Sequence, residues 1–220
     1  MELEIPIFPL PDLVFFPHTL LPLHIFEPRY RQMIADCLEG DRRLAVVMLK
    51  PGWERDYEGS PAVYPVAGAG EIIQCERLAD GRYNVLLRGE CRVRIKEELP
   101  SGKLYRVVRA VVVRDKEPPT GTEALMPGLQ SLMSAYCRLL ESLGQKDSGF
   151  LAKAGEPSSP GALIDRVASV AVPDPRVRQH LLETLDVQER LRVTSSIVFD
   201  LLLLVTGGTK GTPLSKERLN

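Results

Sequence analysis

Hydrophobic and polar positions follow two different periods along the chain, and the change falls near residue 120. Before it, the apolar residues form short strand-like runs, interrupted by one helical segment that begins at Pro28 and ends at Gly40. After it, apolar residues recur at helical spacing, first in a leucine-rich stripe between Leu125 and Leu143. The pattern predicts a β-rich part with one inserted helix, followed by a helical part.

The run LVFFPHTLLPLHIFEPRY, residues 13–30, is apolar enough for a buried strand but contains Pro17, Pro22 and Pro28. Proline lacks the N–H that a sheet requires, so it is confined to strand ends, edges and corners. We therefore expect this run to form the corner-rich start of a small, irregular barrel and to lie against the helical part.

Turn signals divide the segment between residues 70 and 113 into several short strands. Asp80-Gly81 is a hairpin signal, Gly89 lies between a second and a third strand pattern, and Ser101-Gly102 marks a further turn. Short strands joined by tight turns are typical of a small antiparallel barrel or sandwich.

Helix-start signals recur in the second part of the chain. Ser159 and Asp174 each precede a proline, and Asp186 has a glutamate three residues later, as N-caps do. We predict a helix after each cap, the last of them ending at Gly207-Gly208. The predicted organisation is a β-rich subdomain over residues 1–117, a helical subdomain packed on it over 118–206, and a flexible tail over 207–220.

Composition and charge disfavour several classes of protein. The chain has 220 residues and a formal net charge of −1, so no global basic field attracts nucleic acid or an anionic membrane. Its 4 cysteines and 3 histidines lack the close pairs of a zinc site, which predicts no metal and reduced thiols in a cytoplasmic protein. The most apolar run, residues 197–205, is about half as long as a membrane span, so the sequence predicts no segment that crosses a bilayer.

The sequence contains none of the common catalytic motifs that we searched for. It has no phosphate-binding loop, no G-x-S-x-G elbow and no H-E-x-x-H pair. GAGEII at 68–73 lacks the third glycine of a dinucleotide fingerprint and enters a strand. His18 and His24 lie in an apolar run, where a histidine more often bonds to backbone than acts as a base. We predict no cofactor and no catalytic residue.

Arginines recur through the predicted strands, and alternation can place several of them on one sheet face. The residues concerned are Arg88, Arg92, Arg94, Arg106, Arg109 and Arg114. Two interpretations are open: a solvated face paired with Glu90, Glu97 and Glu98, or a groove for an acidic ligand or RNA.

Three blocks of the sequence, in this order, resemble the N-terminal domain of Lon proteases. FPLPDLVFFPHTLLPLHIFEPRYRQMI resembles the opening of that domain, GAGEIIQCERLADGRYNVLLRGECRVRI its hairpin, and LLETLDVQERL the signature near the end of its helical part. Together the blocks frame about residues 5–205. The resemblance implies an α+β fold: a PUA-like antiparallel β-barrel or sandwich with one inserted helix, followed by a C-terminal helical bundle.

In Lon, this domain helps to capture unfolded or tagged protein substrates, and an ATPase module and a serine–lysine protease module follow it. Here the chain ends at Asn220, so the resemblance implies a stand-alone, non-enzymatic binding module for unfolded or exposed polypeptide, an adaptor or quality-control factor. The resemblance to a protease would then rest on the shared domain alone and would not imply proteolytic activity of this chain. The expected partners are polypeptide clients, with a full-length Lon or another protease as a further partner.

Two other functions stay open at this level. PUA-like barrels elsewhere bind RNA, so an RNA-binding module is one alternative. A small-molecule-binding or hydrolytic activity without a recognisable motif is the other.

Four residues are the predicted contacts to polypeptide. Trp53, Arg55 and Tyr57 lie in KPGWERDYEGSP, residues 50–61, a segment of turn formers and charges that suits a functional surface loop. Trp53 is either a plug for the barrel mouth or an exposed anchor. Arg29 opens the helix after Pro28 and is either a solvated charge or a border of the binding groove.

Overall fold

The computed structural model describes residues 1–56, 59–144 and 159–207. These residues form six strands: β1 (Glu2–Leu10), β2 (Leu20–Ile25), β3 (Arg43–Met48), β4 (Val66–Arg77), β5 (Tyr83–Leu99) and β6 (Val107–Val113). Helix α1 (Pro28–Glu39) is inserted between β2 and β3. The predicted β-rich first part with one helix is therefore confirmed.

The strands form one sheet in the order β2-β5-β4-β3-β1-β6, and β6 also pairs with β5. Strand β5 reaches both ends of this order, since residues 83–88 pair with β2 and residues 92–99 pair with β6. The sheet consequently closes into a small barrel, with β2 as an extension on β5. Strands β1 and β3 run parallel, because β2 and α1 form the crossover between them, and the other pairs are antiparallel as predicted.

Small side chains fill the interior of the barrel. Ile7, Ala45, Val47, Ala67 and Val93, from four different strands, are fully buried in one cluster. Small and β-branched residues let so few strands close around a packed interior. The other face of β1 carries Phe8, which packs under α1.

Strand β5 runs without a break through Gly89, so the predicted division into two strands there is wrong. The N–H of Gly89 donates to the Thr19 carbonyl at 2.8 Å, and the Gly89 carbonyl accepts from the His18 N–H at 2.9 Å. Because the chain just before β2 satisfies both backbone groups, β5 continues while it changes partner.

The proline-rich run crosses the barrel over glycines. A Cβ on Gly68 would lie 1.8 Å from the Phe15 carbonyl oxygen, and one on Gly89 would lie 2.2 Å from that of Phe16. Phe15 points into the core beneath α1, whereas Phe16 packs among helical residues. The prediction that this run forms a corner against the helical part is confirmed for residues 13–19, whereas residues 20–25 form the edge strand β2.

The described residues of the second part, 122–144 and 159–207, include four helices: α2 (Met126–Ser142), α3 (Pro160–Ala171), α4 (Pro175–Glu183) and α5 (Val187–Val205). The side chains of Ser159, Asp174 and Asp186 accept hydrogen bonds from backbone N–H groups in the first turns of α3, α4 and α5. These three caps are the predicted ones. A 3-10 turn, Thr122–Leu125, precedes α2 and places Pro127 in its first turn, where proline is tolerated.

Helices and barrel share buried surface. Phe16 and Val66 pack with Ala168, Leu181 and Leu182 of the helical part in one cluster. The predicted subdomain boundaries stay a prediction. The predicted flexible tail lies outside the described residues from position 208 onward.

A buried ionic cluster also joins the two parts. Arg92 of β5 lies 2.7 Å from Asp165 of α3, and Arg190 of α5 lies 2.5 Å from Asp115, which follows β6. Arg190 also lies 3.1 Å from Asp165, so the two arginines share that carboxylate. Breaking a buried pair of this kind leaves a charge without compensation, which makes the cluster a strong constraint on how helices and barrel dock.

Candidate functional site

A groove of about 570 Å³ opens beside the first turn of α1. Its walls come from residues 27–30, from residues 59–61 of the loop after β3, and from the connection between β5 and β6, residues 98–106. Together with Pro9 of β1 and Leu49, these segments surround one concave surface.

The base of the groove is held rigidly by α1 and the sheet. Tyr30 is buried, and its ring centroid lies 4.4 Å from that of Phe8 in β1. Arg29 stacks on Tyr30, with its guanidinium carbon 4.7 Å from the ring centroid. Above this base, Leu104 is 67% exposed and offers an apolar contact to a ligand.

Charges along the groove are already paired within the chain. Arg29 contacts Glu27 at 3.0 Å, and Arg106 contacts Glu98 at 2.8 Å. The Lys103 ammonium donates to Asp36 at 2.7 Å. Hydrogen bonds from Lys103 and from the Tyr105 hydroxyl hold the pKa of Asp36 below its ordinary value. The groove thus combines apolar surface with compensated charge, which suits an extended, largely neutral segment of chain.

The predicted contact residues fall at different places relative to this groove. Arg29 lines it directly. Trp53 and Arg55 lie in a 3-10 turn, Trp53–Asp56, and do not belong to the lining, although residues 59–61 of the same loop do. Trp53 is partly buried and Arg55 is exposed, whereas Tyr57 lies outside the described residues. A contact to polypeptide stays a prediction for all four.

Tyr30 and Leu104 are groove residues that the sequence did not single out, whereas Arg106 was named only among the arginines of the strands. Tyr30 belongs to the apolar stripe of α1, so its pattern indicated core and nothing more. Leu104 lies in SGKLYR, a turn between strands, where an exposed leucine is the one available signal. These residues meet only because the β5–β6 connection folds back over α1.

The arginines of the strands are mainly paired. Arg88 contacts Glu71 at 2.7 Å, Arg109 contacts both Glu97 and Glu4, and Arg92 is buried in the ionic cluster. This arrangement agrees with the interpretation of a solvated, paired face and does not form a basic groove from these residues.

A second, smaller pocket of about 350 Å³ also borders Pro28. Arg31 and Gln32 of α1, Arg77 at the end of β4, and Gly81 and Tyr83 of the β4–β5 hairpin form its lining. Pro28 lines this pocket and the groove alike, so the two are neighbours around the first turn of α1.

Other chemistry in the described part of the chain is structural in kind. Burial raises the pKa of the Cys37 thiol to about 12, which keeps it protonated and unreactive. The described residues include no group of three metal-ligating side chains. None of the helices described is long and apolar enough to span a membrane.

Comparisons with known proteins agree in one family. The model of the ATP-dependent protease La (LON) substrate-binding domain matches residues 4–199. The Lon protease of Xanthomonas oryzae is 30% identical over 200 residues, which cover 89% of this chain and 23% of that protein. The Lon protease of Desulfosudis oleivorans is 26% identical over 204 residues, 92% of this chain and 25% of that protein. The chain thus spans about a quarter of the length of these relatives.

Two solved structures share the fold. The N-terminal domain of Mycobacterium avium complex Lon protease superimposes with a TM-score of 0.67 at 20% identity, covering 89% of this chain and 97% of that one. A Lon N-terminal domain protein from Xanthomonas campestris gives 0.60 at 18% identity, covering 88% and 98%. The predicted α+β fold, a β-rich part followed by helices, is confirmed.

Proposed function

Because the chain belongs to the family of ATP-dependent protease La (Lon) substrate-binding domains, we propose that it captures unfolded or exposed segments of polypeptide in the groove beside α1. It acts in this proposal as a non-enzymatic module, an adaptor or quality-control factor. Its partners are polypeptide clients, together with a full-length Lon or another protease that degrades them. A cytoplasmic location belongs to the same proposal, supported by four free cysteines.

The observation that carries the proposal is the character of the groove. Its charges are paired within the chain, its rim carries an exposed leucine, and its base is a buried tyrosine. Such a surface gains free energy from apolar contact and from backbone hydrogen bonds of an extended segment, without selecting a fixed charge pattern. A binder of many unfolded clients needs this tolerance.

Leu104→Ser tests the groove. We expect it to weaken binding of a labelled, unfolded peptide rich in aromatic and aliphatic residues by roughly fivefold, because it removes about 1 kcal/mol of apolar contact. Leu203→Ser is the matched control, since Leu203 is 54% exposed on α5 and lies outside the groove. Fluorescence anisotropy measures both affinities. Absence of binding by the unchanged protein, or equal losses in both variants, would overturn the proposal.

Arg29→Glu tests the border of the same groove. The substitution replaces the Arg29–Glu27 ion pair by two adjacent carboxylates, so we expect weaker peptide binding with an almost unchanged melting temperature. Arg192→Glu, which disrupts an exposed pair with Glu189 on α5, is the charge-matched control. Equal affinity of Arg29→Glu and the unchanged protein would remove Arg29 from the site.

Two further measurements separate this function from its rivals. Apolar capture should change little as salt rises, whereas phosphate-driven RNA binding should weaken steeply. The purified protein should not cleave an unfolded substrate when ATP is added. ATP-stimulated cleavage by a preparation free of other proteases would contradict the non-enzymatic role.

A further inference from the structure

The smaller pocket beside α1 differs in charge from the groove next to it. Among the described residues that line it there are two guanidinium groups, those of Arg31 and Arg77, and no carboxylate. Within the described residues neither arginine forms an ion pair. Two acids of the hairpin are already engaged, since Asp80 contacts Arg82 at 2.6 Å and Glu76 accepts from the Asn84 amide at 3.1 Å. The pocket is therefore a concave surface with uncompensated positive charge.

The fold confines the Arg31 guanidinium, whereas Arg77 is exposed. Arg31 is partly buried against the hairpin turn, where its Nη2 atom lies 2.1 Å from the position that a Cβ of Gly81 would occupy. Gly81 has a φ of 80°, so glycine suits this position for its backbone as well as for the space that it leaves to Arg31. The Arg77 guanidinium lies 5.9 Å from the centroid of the Tyr83 ring. A ligand therefore meets one guanidinium that the hairpin turn confines and a second, exposed one near the Tyr83 ring.

We propose that this pocket binds a carboxylate of the polypeptide that occupies the groove, either an aspartate or glutamate side chain or the free C-terminus. A planar guanidinium matches a carboxylate through two parallel N–H···O bonds, and two such groups converge here. Pro28 lines pocket and groove, so an extended chain in the groove reaches the pocket around one helical turn. The inference rests on the proposed function and adds selectivity to it: clients with a carboxylate next to their apolar segment bind more tightly.

A small probe tests the pocket without any peptide in the groove. N-acetyl-glutamate amide is titrated into the full chain while NMR follows the Nε–H resonances of the arginines, assigned with Arg31→Gln and Arg77→Gln. We expect saturable shifts for Arg31 and Arg77 and none for Arg88, which is paired with Glu71 outside the pocket. N-acetyl-glutamine amide, which lacks the charge, should leave all three resonances unchanged. The inference would be overturned if N-acetyl-glutamate amide gave no saturable shift at Arg31 and Arg77. It would also be overturned if inorganic phosphate, and not the carboxylate probe, saturated these two resonances.

Peptide affinities test the link between pocket and groove. For an apolar peptide with one glutamate and an amidated C-terminus, replacing that glutamate by glutamine should weaken binding to the unchanged protein about fivefold. In the double variant Arg31→Gln/Arg77→Gln, the same replacement in the peptide should not change the affinity. A variant with Arg31→Lys in place of Arg31→Gln should recover part of the affinity difference between the two peptides. A second peptide, without glutamate but with a free C-terminus, identifies which source of carboxylate the pocket prefers.

The control variant distinguishes a site from a general field. Arg88→Gln removes the same charge outside the pocket and should retain the full fivefold difference between the two peptides. Loss of the difference in Arg88→Gln would overturn the inference, because diffuse charge would then explain it. Binding of both peptides with equal affinity would overturn the inference while leaving the proposed function standing. Failure of every peptide to bind, with carboxylate still saturating Arg31 and Arg77, would remove the proposed function and leave an isolated carboxylate site.

Discussion

Trp53, the single tryptophan of the chain, lies in the 3-10 turn after β3 and is partly buried. A fully buried plug would contribute roughly 3–5 kcal/mol to stability, and a partly buried ring contributes less. Residues 59–61, which follow it in the chain, line the groove, so we expect a bound polypeptide that extends beyond the groove to reach Trp53.

We therefore predict that unfolded peptide shifts the fluorescence of Trp53 to the blue. Contact with the peptide removes water from the exposed edge of the ring, and a single tryptophan reports this change without interference. Trp53→Ala should weaken peptide binding by about 2 kcal/mol while costing less stability than removal of a fully buried ring. Emission that stays constant at saturating peptide would contradict the contact.

His18 occupies an unusual place at the corner before β2. Its φ is 59°, a left-handed conformation, and its carbonyl accepts from the Arg166 side chain at 3.0 Å. Burial lowers the pKa of His18 below its ordinary value of 6.5, with Asp165 opposing this shift and Arg166 adding to it. The smaller contributions of Arg92 and Asp115 act in opposite directions.

Stability should consequently fall as the pH drops below 6.5, because the unfolded chain then binds a proton that the folded His18 resists. Above pH 6.5 the stabilising contribution of neutral His18 is fully present. It is lost as the pH falls from 6.5 towards the lower pKa of the folded state. His18→Asn should remove that part of the pH dependence, since asparagine tolerates a left-handed backbone and does not titrate. Denaturant unfolding at about pH 8 and about pH 5 measures it. If His18→Asn and the unchanged protein lost the same free energy of unfolding between these two pH values, His18 would not be the source of the pH dependence.

At the scale of elements, close backbone contacts decide where the proline-rich run lies. The carbonyls of Phe15 and Phe16 approach β4 and β5 so closely that only glycine fits at Gly68 and Gly89. Proline is tolerated in the run because Pro17 lies in the corner, Pro22 in the edge strand β2 and Pro28 in the first turn of α1. The glycines of β4 and β5 leave room for the crossing segment, and proline suits that segment because it is not paired in the sheet.

Gly68→Ala should destabilise the protein by about 1–3 kcal/mol or more, because the new methyl group would overlap the Phe15 carbonyl and force the crossing segment away. Gly40→Ala is the matched control, since its nearest neighbour would lie at an ordinary 3.5 Å. Denaturant titration gives both free energies of unfolding. A Gly68→Ala protein as stable as Gly40→Ala would show that the segment can move at little cost.

At the scale of the whole molecule, the barrel depends on the helices for cover. Phe16 packs against Leu181 and Leu182, and Arg92 donates to the Leu182 carbonyl at 2.9 Å as well as to Asp165. Without the helices, an apolar ring and part of a buried ion pair would face water. We propose on this ground that the β-rich subdomain, 1–117, and the helical subdomain, 118–206, unfold together.

Residues 1–117 expressed alone should give an aggregating or molten product. Exposure of the surface around Phe16 creates an apolar patch, and Arg92 loses its partner Asp165. Size-exclusion chromatography, near-ultraviolet circular dichroism and thermal unfolding of the fragment, beside the full chain, measure this. A soluble fragment with a sharp unfolding transition would show that the barrel is independent.

The sequence by itself determined the local elements of this protein. The inserted helix from Pro28, the hairpin at Asp80-Gly81 and the caps at Ser159, Asp174 and Asp186 could be predicted because each depends on residues a few positions apart. The three family blocks together predicted the fold class, since their order along the chain carries information that no single block has.

Only the tertiary structure decided how distant residues meet. The continuity of β5 through Gly89 depends on hydrogen bonds from residues 18 and 19, far away in sequence. Arg92 looked like its strand neighbours, yet it is buried because Asp165 and Arg190 approach from the helices. The groove and the arginine pocket likewise form where separate segments surround α1. Periodicity encodes which face of an element is apolar, whereas long-range packing determines which polar groups converge, and that convergence creates the site.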